Sequence, residues 1–142
     1  MSQNNTSQSA VTICANYRKA PEAIEWLCRV FGFTKHAVYP GPNNTIMHSE
    51  LTLGGGMVMV GSLMDNDYRR FVKHPDEIGG AETRSINLAV ADADVVYAKV
   101  KEEGGQILLD IEDKPYGGRG FTCGDLEGHI WSIGTYDPWQ PK

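Results

Sequence analysis

The stretch Tyr116 to Trp139, YGGRGFTCGDLEGHIWSIGTYDPW, decides how the rest of the chain is read. Its β-rich run is broken at Gly124-Asp125-Leu126-Glu127-Gly128, which predicts two strands, Tyr116 to Cys123 and His129 to Tyr136, joined by a tight turn. Alternation along the second strand sends Ile130, Ser132 and Gly134 to one face. His129, Trp131, Ile133 and Thr135 go to the other.

Upstream, the same order of elements occurs twice. Val11 to Tyr17 reads as a strand. Pro21 to Phe31 reads as a helix with Ala23, Ile24, Leu27, Val30 and Phe31 along one stripe, Pro21 in its first turn and Gly32 as its stop. Trp26 is read as lying off that stripe, at a helix edge or a subunit contact. Strands follow at Phe33 to Tyr39, Thr45 to Leu53 and Met57 to Leu63, with Pro40 to Asn44 as the first turn. Met64 to Thr83 carries charge, a proline and two glycines, which predicts a surface connector with room for a short helix. The pattern then restarts. Ser85 to Val90 is a strand, and Asp92 to Glu103 a helix with Val95, Val96, Lys99 and Val100 inward. Gln106 to Asp110 is a strand, and the opening hairpin completes the set. A shift of 73 positions places Ile13 on Ile86, Ala20 on Ala93, Gly32 on Gly105, Pro42 on Pro115, Leu53 on Leu126, Gly55 on Gly128 and Gly61 on Gly134 without a gap. The fold class expected is α+β, with two βαβββ modules forming an incompletely closed eight-stranded barrel, helices outside. The modules span 11–63 and 84–142, joined by the connector 64–83 and preceded by a disordered polar tail at 1–10.

Composition narrows the function. With 142 residues the default is one structural domain. No apolar run approaches the length of a membrane span, and the first residues have neither the basic start nor the apolar core of a signal peptide. Three cysteines, Cys14, Cys28 and Cys123, lack zinc-type spacing and fit reduced thiols in a cytoplasm. A net charge of −5 with no clustered basic face argues against nucleic acid as a partner.

Two βαβββ copies, Ala23-Ile24-Glu25-Trp26-Leu27 with Phe31-Gly32-Phe33, and Asp125-Leu126-Glu127-Gly128-His129-Ile130-Trp131 together resemble the vicinal-oxygen-chelate superfamily. That superfamily includes glyoxalases, extradiol dioxygenases and bleomycin- or fosfomycin-resistance proteins. The resemblance is nearest to uncharacterised bacterial glyoxalase-like proteins, although Leu126 stands where the family's turn carries proline. It implies a homodimer, and metal ligands on the first and last strand of each repeat. Those positions fall on Thr12 and Met59, and on Ser85 and Ser132. None is an imidazole, carboxylate or thiolate, so no metal and no cofactor are expected.

His48 and Glu50 share a face of the third strand. They are candidates for acid–base catalysis, for a two-ligand metal site, or for a polar pocket wall. Arg119, in a glycine-rich run, either clamps an anionic ligand or pairs with Asp125 or Glu127. Trp131 and Tyr116 form either cavity walls or core. Cys14 and Cys123 are either nucleophiles or inert thiols. The ligand pocket is expected from Thr12, Asn16, Ser85, Asn87, Arg119 and Trp131, beside His48 and Glu50. The function expected is binding of a small organic molecule without the usual metal, with sequestration of a toxic or antibiotic-like compound as its concrete form. The alternative is a glyoxalase- or dioxygenase-like enzyme with a relocated metal or a metal-free acid–base site.

Overall fold

The computed structural model describes residues 9–142; the polar tail expected over 1–10 lies almost wholly outside them. The chain divides after Val72 into two compact units. The first contains β1 (Ile13–Tyr17), α1 (Ala20–Trp26), β2 (Thr34–Gly41), β3 (Thr45–Leu53) and β4 (Gly56–Ser62). The second contains β5 (Asn87–Ala89), α2 (Ala93–Glu102), β6 (Gln106–Asp113), β7 (Arg119–Gly124) and β8 (Ile130–Gly134). Each unit is one βαβββ module, and the α+β class read from the sequence holds. The eight strands form two four-stranded sheets, ordered β1-β4-β3-β2 and β5-β8-β7-β6, and no closed barrel. In each sheet the first strand runs parallel to the last, and the other pairs are antiparallel.

One face of each sheet is sealed by its helix. In the first unit Ala15, Tyr17, Leu51, Val58 and Val60 are buried, with Ala23, Ile24, Trp26 and Leu27 of the helical segment. Each large apolar side chain so buried contributes about 1.5–3 kcal/mol. Two serines on this face are satisfied by the backbone: the Ser49 hydroxyl donates to the Val60 carbonyl at 2.8 Å, and the Ile46 N–H donates to Ser62 Oγ at 2.8 Å. In the second unit Leu88, Phe121, Cys123, Trp131 and Ile133 pack with Ala93, Val96 and Val100.

Several local expectations are corrected. Trp26 is 1% exposed and meets Phe31 edge-on at 5.1 Å. It stands three residues after Ala23 and four before Val30, so it belongs to the buried stripe. In α2, Val95 and Lys99 are exposed; the inward stripe is Ala93, Val96 and Val100, at i, i+3 and i+7. The first strand of the opening hairpin begins at Arg119, not Tyr116, because left-handed backbone at Gly117 and Gly118 turns the chain just before it. Gly32 does end its helix in the left-handed conformation, but its counterpart is Gly104 and not Gly105. The one-residue offset is absorbed where the first helix widens into a π-turn over Leu27–Phe31. The connector carries two 3-10 turns, Asp67–Arg70 and Pro75–Glu77. None of the three cysteines is in a disulfide, and among the described residues no helix is long and apolar enough to cross a membrane.

Candidate functional site

The face of the first sheet opposite α1 gathers the chemistry. Strand alternation puts Cys14 and Asn16 of β1, Met57 and Met59 of β4, and His48, Glu50 and Thr52 of β3 on this side. Cross-strand register aligns Cys14 with Met59, Met59 with Glu50, and Glu50 with Ala37 in one row. Tyr39 aligns with His48 in the next. Two irregularities in the β2–β3 ladder shape the site. One falls at His36, between Lys35 and Ala37, and lets its imidazole come within 3.9 Å of Glu50. The other lets Ile46 and Ser49, three apart, share the buried face.

At the centre, His48 Nε2 and Glu50 Oε2 are 2.9 Å apart. A carboxylate only accepts, so Nε2–H is the donor, and in the neutral ring the Nδ1 lone pair is left to accept. The Tyr39 ring stacks on His48 at 6.0 Å and 18°. Both members of the pair are reachable, with 42% of the His48 side chain and 27% of that of Glu50 exposed. This is an oriented imidazole with a carboxylate behind it and an aromatic plate beside it. It can accept a proton or a hydrogen bond from a ligand, with thioether and thiol groups of Met59 and Cys14 as soft neighbours.

The other expected pocket residues are divided between the two units. Asn16 is half-buried on the same sheet face, with its Oδ1 beside Gly61. Thr12 is exposed just before β1. In the second unit, Asn87 aligns with Ser132, whose hydroxyl is 2.9 Å from Thr122 Oγ1, and Ser85 is exposed just before β5. Arg119 leaves that face. Its Nε donates to Asp94 at 3.1 Å and its NH1 to Asp113 at 3.3 Å, which raises its pKa. It is thus ion-paired, with partners other than Asp125 and Glu127. Trp131 is fully buried, and its indole N–H donates to Asp125 at 2.9 Å. Tyr116 is exposed and meets Tyr136 edge-on. Burial, followed by the nearby Asp125 charge, pushes the Cys123 thiol up to about 12, whereas Cys14 is exposed.

The sequence reading did not single out His36 or Tyr39, which join the site only through strand register and the bulge. It also missed a buried polar cluster in the second unit. His74 Nε2 meets Glu127 Oε1 at 3.0 Å, His129 Nδ1 meets Glu82 Oε2 at 3.2 Å, and the two rings lie edge-to-face at 5.2 Å. The capping box from His74 to Glu77 was its one readable signal.

The superfamily's metal positions do not fit a metal. Thr12, Met59, Ser85 and Ser132 offer two hydroxyls, a thioether and a hydroxyl bonded to Thr122. Among the described residues, no group of three or more His, Cys, Asp or Glu side chains is placed to hold a metal ion.

A sequence profile described as Glyoxalase/Bleomycin resistance protein/Dioxygenase superfamily matches residues 10–133. The crystal structure of TioX from Micromonospora sp. ML1 is similar at 30% identity and a TM-score of 0.68, over 94% of this chain and 100% of that one. A glyoxalase-related enzyme from Fulvimarina pelagi shares the fold at 18% identity and a TM-score of 0.62, over 94% and 91%. An uncharacterised protein of Mycobacterium bovis is 27% identical over 115 residues, 81% of this chain and 75% of its own length.

Proposed function

Because the chain belongs to the glyoxalase/bleomycin resistance protein/dioxygenase superfamily, we propose that it binds a small organic molecule on the open face of its first sheet, without the superfamily's usual metal. The observation that carries this reading is the His48–Glu50 pair, oriented at 2.9 Å, stacked by Tyr39 and left half-exposed. A few directional polar groups among apolar and soft side chains are what small-molecule sites use. Sequestration of a toxic or antibiotic-like compound is its concrete form. Asn16 lies on the same face, while Asn87 and Ser132 give the second sheet a hydrogen-bonding face of its own. Thr12 and Ser85 are exposed beside the strands that carry these groups. The resemblance adds a homodimer, which light scattering reads directly, and cysteines outside any disulfide fit a cytoplasmic setting.

A second reading rests on the same hydrogen bond. Glu50 fixes the tautomer of His48, so Nδ1 is set up as a general base for proton abstraction without a metal. The two readings separate in a thermal-shift screen of organic compounds, including antibiotics and thiol conjugates, against the wild type, His48→Ala and Glu50→Gln. A binder present at 100 times its Kd adds about 2.7 kcal/mol, a shift of several degrees. We expect at least one compound to raise the wild-type Tm and to lose that effect in both variants, whose unliganded Tm falls by no more than a few degrees. Chemical conversion of the compound would select the enzyme. Hits indifferent to both substitutions would refute either reading.

A further inference from the structure

The opposite side of the first sheet carries an unassigned cleft of about 330 Å³ between α1, β2 and the β2–β3 turn. Its floor is apolar: Pro21 and Ile24 of α1 meet Val38 of β2 and Ile46 of β3. Ile24 and Ile46 are almost fully buried, so this floor is firm. Its rim is charged and unbalanced. Glu25 is ion-paired with Lys35 across the cleft mouth, which neutralises one carboxylate. Glu22, one helical turn away, has no hydrogen-bond or salt-bridge partner among the described residues. Asn44, held in left-handed backbone at the turn, lines the same cleft.

We propose that this cleft is a second binding site, for a small primary ammonium ion carrying a compact apolar or aromatic group. The volume falls in the range of small-ligand pockets. The apolar body lies over Ile24, Val38 and Ile46, while the ammonium donates to the Glu22 carboxylate. An anion of the same shape meets net negative charge. A neutral alcohol gains the floor but loses the charge-assisted hydrogen bond. The site faces away from His48 and Glu50 and does not rest on the function proposed above.

The test is an NMR titration of the full ¹⁵N-labelled chain with 2-phenylethylamine, 2-phenylethanol and 3-phenylpropionate in turn. The amine is expected to shift the amides of Glu22, Val38, Asn44 and Ile46 and to bind more tightly than the other two. Glu22→Gln, a surface change that leaves the core intact, should weaken it about threefold to fivefold, the scale of one exposed ion pair. Val38→Phe, which fills the floor, should abolish the shifts. Equal binding of the carboxylate or the alcohol, an undiminished affinity of Glu22→Gln, or shifts centred on His48 and Glu50 would overturn the proposal.

Discussion

The two modules pair their last two strands alike but close the hairpin differently, with two residues between Leu53 and Gly56 in the first and five between Gly124 and Ile130 in the second. In the first, β3 and β4 turn through Leu53 to Gly56, and among the described residues the Thr52 hydroxyl donates only to the Thr34 carbonyl, at 3.5 Å. In the second, the turn opens with Asp125, which accepts from the N–H groups of Glu127 and His129 and from the Trp131 indole. Glu127 and His129 then reach His74 and Glu82, tying the turn to the preceding connector. Imidazoles and carboxylates in the second module are saturated by one another and buried, His74 at 3% and His129 at 4% exposure. In the first module the same residue types, His48 and Glu50, stay reachable. A His–Glu pair is therefore structural or functional according to what else covers it, and residue type alone does not decide.

The largest effect expected from this contrast is at Asp125. Asp125→Ala removes three hydrogen bonds to a buried carboxylate and strands the Trp131 N–H, a loss of about 3–5 kcal/mol in urea unfolding. Thr52→Ala should cost less than about 0.5 kcal/mol. Equal costs would erase the distinction between the hairpins. His74→Ala comes next, at about 3 kcal/mol, because it leaves the largely buried Glu127 carboxylate without its imidazole. His48→Ala, on the half-exposed pair, should cost under about 1 kcal/mol. A large penalty there would make His48 a structural residue like His74.

The thiols sharpen the same point. Iodoacetamide at pH 8 should alkylate exposed Cys14 first and half-buried Cys28 more slowly, since burial raises the Cys28 pKa. Cys123 should react only after unfolding. Its raised pKa also has a consequence for stability. As pH climbs above 9 towards 12, the unfolded chain releases this proton while the folded chain keeps it, so stability falls with pH. Cys123→Ala should flatten that decline. The smallest effect belongs to Arg119. Arg119→Met breaks solvent-exposed pairs with Asp94 and Asp113, and its urea midpoint is expected to stay at the wild-type value.

The repeat was legible because a shift of 73 positions overlays the turn proline and the hairpin glycines, although the second helix stops at Gly104 and not at the matched Gly105. The strand faces were legible too, since Trp131 and Ile133 fall opposite Ser132 and Gly134 as alternation requires. The His48–Glu50 pair followed from its i, i+2 spacing. What sequence did not reveal depends on register. His36 reaches Glu50 through a bulge, Tyr39 meets His48 only across a strand pair, and Arg119 finds carboxylates on α2 and β6. The His74–His129 contact joins residues 55 apart in an irregular segment, where no periodicity exists to read.

The most direct test of small-molecule binding at the His48–Glu50 face is a titration calorimetry comparison. The strongest compound from the thermal-shift screen would be titrated into the wild type and into Glu50→Gln. Loss of a charge-assisted hydrogen-bond partner predicts affinity at least about tenfold weaker in the variant, with one compound bound per wild-type chain. Affinity unchanged within about twofold would place the ligand elsewhere and contradict the proposal.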